Sequence, residues 1–514
     1  MKPPFFRSSV LTVCLAMMAF CLAALAQAAT LTVPAQYPTI QAAVDAAASG
    51  DTVLVAAGTY SGPGNRDIDF SGKSLVVTSQ AGPSSTIIDC GGYKTTDGSG
   101  VHRGFYLHSG EISATISGFT VKNGYETYAS GIQDSGYGGS IFNYNPSGGK
   151  LTLTNCIVSG NISAYGGGGG IYNYNGGTTT LTNCTVSGNI STYGGNGSSG
   201  GGIINVNSSG STLTLTNCTV SGNTVAGNGI GGGIYNSNLS GTTTLNNCTI
   251  SRNTAREGGG ISDNTLGTVV LTSCTISRNT AGIGGGIFNY GSGTITLTNC
   301  TVSGNTAEAT YSNSDAGDIY GEGGGIYNSG IFYSVILTLN NCTISGNTAK
   351  RGGGIFNSGN SNNTTTHKNG TISGNTGRDG GTATLTNCTI SGNTAKRGGG
   401  IFNSDSGDSS NTSTVRNSIF YGDTGGEVVK GTGTASILFS DIQGGYSGTS
   451  NIDKDPLFVN ASSGDLHLKT GSPCLGGGTS NGAPPTDLDG NPRPNPPSMG
   501  AHELVISTLD LLHK

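Results

Sequence analysis

The residues with the greatest chemical reach in this sequence are its cysteines. Eight of them, Cys156, Cys184, Cys218, Cys248, Cys274, Cys300, Cys342 and Cys388, occupy one place in a repeated segment typified by GGGIYNSNLSGTTTLNNCTISRNTA, from Gly231 to Ala255. A column of thiols can pair into disulfides, hold a soft metal or supply nucleophiles. Each cysteine, however, lies two residues before a repeated Ile or Val, as Cys248 lies before Ile250. In a strand both then share a face, and the aliphatic partner requires that face to be the core. The thiols are therefore read as small buried hydrophobes. Disulfides between neighbouring repeats remain open: a spacing of about 4.8 Å suits the Cα distance, but parallel Cβ vectors suit the S–S torsion poorly. No His accompanies the column, so no metal ladder is expected.

Cleavage of a polysaccharide would instead need two or more carboxylates brought together, as acid and base or as ligands of Ca²⁺. The carboxylate groupings are Asp67/Asp69, Asp315/Asp318/Glu322 and Asp405/Asp408, and none recurs one repeat away. Arg252 and Arg278 each replace the Gly of a Ser-Gly-Asn turn and read as solvated. The stretch Asp487-Leu488-Asp489-Gly490-Asn491 is part of a calcium-loop pattern, too short for the whole, and reads as a cap turn. No catalytic or metal-binding residue is assigned.

The position after the repeated Ile varies: Phe142, Tyr172, Ile204, Tyr235, Ser262, Phe288, Tyr327, Phe356, Phe402. If Ile faces in, this neighbour faces out, which predicts a broken aromatic stripe along one exterior face. Tyr172, Tyr235, Phe288, Tyr327, Phe356 and Phe402 are accordingly the candidate ligand-binding residues, suited to stacking on sugar rings or a partner protein. The competing reading is that they stack on each other and stabilise the sheet.

The repeat that must position these residues is set by Cys248, Cys274 and Cys300, giving a unit of about 26 residues. Within it, short bursts such as Thr212 to Thr216 alternate with period two and are separated by Gly or Asn, which predicts three strands joined by tight turns. That leaves no room for a helix and is too short for a propeller blade. The remaining solution is a coil that winds once per unit, a parallel β-helix. The Asn residues before the cysteines, and a second series from Asn161 to Asn393, are read as turn ladders whose amides bond from rung to rung, making Asn-Cys-Thr a poor glycosylation acceptor.

Composition narrows the partners. Charged residues are 10% of 514, Gly numbers 91 and the net charge is -5. With no basic run, nucleic acid is not an expected ligand. Lys2 and Arg7, the apolar run from Val10 to Leu25, and Ala26-Gln27-Ala28 have the three parts of a secretory signal peptide. Beyond it no stretch of about 20 apolar residues occurs, so no integral membrane segment is expected.

The GGSIFN of Gly138, the GGGIYN of Gly168, the GGGIFN of Gly284, Gly352 and Gly398, and the repeated CTISGNTA or CTVSGNTA resemble the right-handed parallel β-helix proteins of the pectin-lyase-like superfold. Within these they resemble proteins with chlamydial polymorphic-outer-membrane-protein-type repeats. YPTIQAAVDAAASGDTVLVAAGTY, from Tyr37, looks like the opening of many such proteins, with Ile40, Ala43, Val44 and Ala47 forming a helical apolar stripe and Gly50 placed to end the helix. DPLFVNASSGDLHLKTGSPCLGGG, from Asp455, and TDLDGNPRP, from Thr486, look like the C-terminal segment of secreted bacterial β-helix proteins. The membrane proteins of that kind end in a β-barrel; the sequence to Lys514 contains none, and no barrel anchor is expected.

The expected organisation is a signal peptide over 1–28, an N-terminal cap and first rungs over 29–110, a repeat β-helix over 111–440 and a C-terminal cap over 441–514. The expected fold is all-β, a single right-handed parallel β-helix with a short N-terminal capping helix. The expected function is non-catalytic adhesion or display outside the cell or at its surface, by a monomer contacting extracellular polysaccharide or protein without a cofactor. The alternative is a polysaccharide lyase or glycoside hydrolase, for which Ca²⁺ would be the implied cofactor and Asp315 to Glu322 the place of the site.

Overall fold

The computed structural model describes residues 28–504, apart from 94–99, 128–135, 146–147, 193–198, 208–211, 239, 265, 292, 309–320, 330–335, 359–363, 374, 376–383, 395–400, 404–411 and 431–433. The chain is a right-handed parallel β-helix whose successive rungs pair in register. Two long parallel sheets, one of fifteen strands from Thr30–Val33 to Thr434–Leu438 and one of fourteen, run along the rod; a third has nine strands. We call these the first, second and third sheets. At about 4.8 Å per strand the first sheet is about 67 Å long.

A typical rung runs Ile234–Asn238 in the third sheet, Thr242–Asn246 in the first and Thr249–Ser251 in the second. The three expected strands per unit are thus present, and a fourth ladder joins them: two-residue pairings such as Ile190–Ser191 with Thr224–Val225 follow the buried asparagines. Two residues are too few to show a period, so this ladder left no alternation to read.

The triple glycine has a steric cause. Gly231 adopts φ +70°, in the left-handed region. A Cβ on Gly233 would stand 2.6 Å from the carbonyl oxygen of Gly260 on the next rung and 3.0 Å from Asn253 Nδ2. A side chain here meets the next rung's carbonyl and asparagine amide, and of the rungs that pair at this corner the first repeat accommodates one, Ser140.

The bore is filled by columns of identical residues. Leu181, Leu215, Leu245, Leu271, Leu297 and Leu339 stack in the first sheet and are buried, as are Val220, Ile250, Ile276 and Val302 in the second. Each such side chain contributes roughly 1.5–3 kcal/mol relative to exposure. All eight repeat cysteines are buried with them, free, and donate to backbone carbonyls, as Cys248 Sγ does to Leu215 O at 3.5 Å and Asn246 O at 3.2 Å. The column continues as Ser418 and Ser440, whose hydroxyls donate to the carbonyls of Arg416 and Leu438. Burial pushes the Cys388 thiol up to about 12, well away from the thiolate form that chemistry needs.

Both asparagine series form ladders. Asn189, Asn223, Asn253, Asn279 and Asn305 are fully buried; each Oδ1 accepts from the amide N and Nδ2 of the preceding member, as Asn279 Oδ1 does from Asn253 at 3.0 Å. The asparagines before the cysteines take positive φ and link Asn247 to Asn217 to Asn183 on the surface. A third ladder, Asn143 to Asn173, Asn205, Asn236 and Asp263, runs inside the third sheet. These are the asparagines two residues after the repeated Ile, so alternation sends them inward.

The N-terminal helix spans Ile40–Ala46, capped by Thr39, and buries Ile40, Ala43 and Val44 against the open end of the bore. It ends at an extended Ala47, earlier than Gly50, which takes positive φ in the turn beyond. At the other end the pair Phe458–Asn460 and Asp465–Leu468 is antiparallel and covers Ile419 with Phe458, Leu466, Leu468 and Met499. Among the described residues no helix is long and apolar enough to cross a membrane.

Candidate functional site

The outward row of the third sheet exists, but it is roofed along one edge. Phe142, Phe288 and Phe356 are 1%, 6% and 8% exposed, and Tyr172, Tyr235 and Tyr327 are half-buried. The reversal at the triple glycine folds the preceding residue back over the row: Ile283 packs on Phe288, the Tyr137 ring lies 4.8 Å from that of Tyr172, and the Arg351 guanidinium lies 5.2 Å from the Phe356 ring. Strand alternation decides which way a side chain leaves the sheet, but not what the next turn lays over it.

The rings also use their faces on each other. Phe142 stacks on Tyr172 at 5.3 Å, Tyr144 on Tyr174 at 5.1 Å, Phe288 on Tyr327 at 5.1 Å and Tyr327 on Phe356 at 5.5 Å. Such ladders show edges and hydroxyls to solvent, whereas a sugar ring stacks on an open face. Tyr235 sits between Ile204 and Ser262, outside both ladders. The Phe402 side chain lies outside the described residues; its backbone pairs with Val429.

At its N-terminal end the row meets an ionisable group. The strand Phe105–Leu107 sends Phe105 and Leu107 in and Tyr106 out, and the His108 ring stacks on Tyr106 at 3.8 Å. His108 Nε2 is 3.4 Å from Asp69 Oδ2, and His102 Nδ1 is 2.8 Å from Asp67 Oδ2. Beneath them Arg103 is buried with Glu126, joined through Nε to Oε1 and through a terminal nitrogen to Oε2, both at 2.8 Å. The same guanidinium lies 4.6 Å from the Tyr106 ring and 4.9 Å from the Phe142 ring. Burial pushes the Glu126 carboxyl up, against the opposing pull of Arg103. Of this group the sequence pointed only to Asp67/Asp69; the in-out alternation of Phe-Tyr-Leu-His from Phe105 was a signal for Tyr106 and His108, while His102, Arg103 and Glu126 carry no pattern of their own.

Among the described residues the first sheet has the most strands, and threonine covers its outer face. In register along one column stand Thr115, Thr152, Thr180, Thr214, Thr244, Val270, Thr296, Thr338 and Thr366. Parallel columns run through Thr178, Thr212, Thr242, Thr268 and Thr294 on one side, and Thr154, Thr182, Thr216, Asn246, Thr272 and Thr298 on the other. All are exposed or half-exposed. Hydroxyls and methyls therefore repeat about every 4.8 Å along the rod and about 6.6 Å across it. Charges are sparse here: Lys150 and Lys368 lie at the two ends of the stretch.

Asp315, Asp318, Asp405 and Asp408 lie outside the described residues. Glu322 is buried and paired with Arg351. Arg252 and Arg278 are exposed at φ +57°, as solvated turn residues. Asp487 is fully buried and accepts from the backbone nitrogens of Asp489, Asn491 and Glu503, which makes its stretch a cap turn.

Residues 139–331 match the family described as right handed beta helix region. The crystal structure of pectate lyase Pel9A is similar over 90% of this chain and 90% of its own, at 15% identity and a TM-score of 0.35. No curated protein matches the sequence. The rung topology and the family match define the class, a right-handed parallel β-helix.

Proposed function

We propose that this protein is a non-catalytic extracellular rod that adheres to an uncharged, extended polysaccharide through the threonine face of its first sheet. The observation that carries this reading is the in-register threonine columns about Thr180, Thr214 and Thr244. A flat array of hydroxyls and methyls offers a polymer of sugar hydroxyls repeated hydrogen bonds and water-mediated contacts, each weak, summed along the rod. The near absence of charge favours a neutral polymer over an acidic one. The signal-peptide pattern of the segment 1–28 supports this reading, since export would bring the rod to where such polymers occur.

Co-sedimentation with insoluble neutral polysaccharides tests the reading. Binding should fall at least about tenfold in a Thr180→Lys/Thr214→Lys variant, whose outward side chains do not enter the core, because two ammonium groups must be desolvated or displaced. Tyr172→Ser, Tyr235→Ser and Tyr327→Ser should bind as the parent does. Binding lost only in the tyrosine variants would return the site to the aromatic row; binding to no polysaccharide would end the reading.

A second reading is favoured by one observation, the His102–Asp67 and His108–Asp69 pairs beside Tyr106. An imidazole oriented by a carboxylate is the arrangement a general base uses, and polysaccharide lysis or hydrolysis would centre there. Product assays on a polysaccharide panel with and without Ca²⁺, compared with His102→Gln, separate the two readings: turnover abolished by that change establishes an enzyme.

A further inference from the structure

We propose that the C-terminal cap holds a divalent cation of the zinc class between His467, Asp489 and His502. One ligand atom from each lies within 4.8 Å of the others. His467 Nε2 is 2.9 Å and His502 Nδ1 2.7 Å from the same oxygen, Asp489 Oδ2. Two imidazoles aimed at one carboxylate oxygen form a three-cornered donor set of nitrogen, nitrogen and oxygen. That set suits zinc, cobalt or nickel; calcium and magnesium prefer oxygen alone.

The surroundings supply what a metal site needs beyond its ligands. The other nitrogen of His467, Nδ1, is 2.6 Å from Asp465 Oδ1, so a carboxylate orients the ring from behind, as outer partners of metal-bound histidines do. Asp487 fixes the remaining two corners, because its carboxylate accepts from the backbone nitrogens of both Asp489 and Glu503. The ring of His502 is nearly buried, while His467 and Asp489 are 44% and 41% exposed, which leaves coordination positions facing water. Such a cation would tie three cap segments together: the strand of His467, the turn of Asp489 and the segment carrying His502.

The sequence pattern did not mark this site. Its residues are 22 and 13 positions apart in a part of the chain that does not repeat, and His502 lies in Gly-Ala-His-Glu, which has no ligand spacing of its own.

The test uses the whole chain, stripped with a chelator and titrated with Co²⁺, then with Zn²⁺ as competitor. The expected result is one Co²⁺ per chain with a visible d–d band that Zn²⁺ removes, and a zinc absorption-edge spectrum with only nitrogen and oxygen in the first shell. His467→Gln/His502→Gln should abolish binding, and Asp465→Asn should weaken it about 10–100-fold at unchanged stoichiometry. No binding at micromolar metal by the parent chain overturns the proposal whether or not any variant folds. Sulfur in the first shell, or binding retained by the double variant, overturns it as well.

Discussion

The imidazole of His367 occupies the space that a side chain at Gly370 would fill. His367 stands in the leucine column between Leu339 and Leu385, and Gly370 stands in the thiol column between Cys342 and Cys388. A Cβ on Gly370 would overlap the ring, and His367 Nε2 instead reaches Cys342 O at 3.2 Å. One large polar side chain thus replaces a leucine and a thiol together, and the two departures from the repeat are a single substitution in physical terms.

This rung should weaken on acidification. Burial holds the His367 imidazole down at about 4, below its ordinary 6.5. The unfolded chain takes up a proton as pH falls below 6.5 and the folded chain does not until about 4. Stability is therefore full above pH 6.5 and declines toward pH 4 by about 3 kcal/mol from this group. Denaturant midpoints across that range should show the loss, and His367→Leu/Gly370→Cys should remove it. Gly370→Cys alone should be strongly destabilising, a non-additivity that a double-mutant cycle measures.

The cysteine column should prove chemically silent. In the native protein a thiol reagent should find almost no reactive cysteine; in denaturant without reductant, the repeat cysteines should all react. Cys248→Ser should cost only about 1 kcal/mol, because Ser418 and Ser440 already hold that position with the same hydrogen bond to the carbonyl two residues back. A denatured chain with few free thiols would instead establish disulfides between rungs.

Glycine positions should divide sharply by location. Gly222 takes φ +63°, an added Cβ would meet only Gly188 N at 3.9 Å, an ordinary contact, and its counterparts on the next rungs are Arg252 and Arg278. Gly222→Ala should cost about 1–2 kcal/mol, the left-handed penalty alone. Gly233→Ala meets the backbone of the next rung and the amide of Asn253, and should cost more than about 4 kcal/mol. Protease resistance of the two variants, compared rung by rung, provides the measurement.

What the repeat made legible was direction. Cys248 and Ile250 share the inner face, and both asparagine series form ladders, because period two and rung stacking leave no other arrangement. Contacts between columns were not legible in the same way. Ile283 covers Phe288 because of the angle at which the chain leaves the glycine corner, and His367 compensates Gly370 across a strand boundary. His467, Asp489 and His502 meet only through the cap turns. None of these relations has a period, so each depends on geometry that the folded chain alone expresses.

The buried ion pair under the aromatic row should be indispensable by halves and dispensable as a whole. Arg103→Met would leave the Glu126 carboxylate buried without its partner, at a cost of about 3–5 kcal/mol. Because burial already pushes Glu126 up and Arg103 opposes that push, removing Arg103 raises its pKa further. The variant's Glu126 then keeps its proton in the folded state at pH values where the unfolded chain has released it. The charge-dependent part of its destabilisation relative to the parent is absent while Glu126 is protonated in both folded chains, and it grows as pH rises through the parent's raised carboxyl range. Arg103→Met/Glu126→Gln removes both charges and should recover most of the loss at neutral pH. Denaturation at acid and neutral pH for the single and double variants measures each step. The Arg103 contacts with Tyr106 and Phe142 predict that part of the cost persists in the double variant, about 1–2 kcal/mol from the lost cation–ring contact.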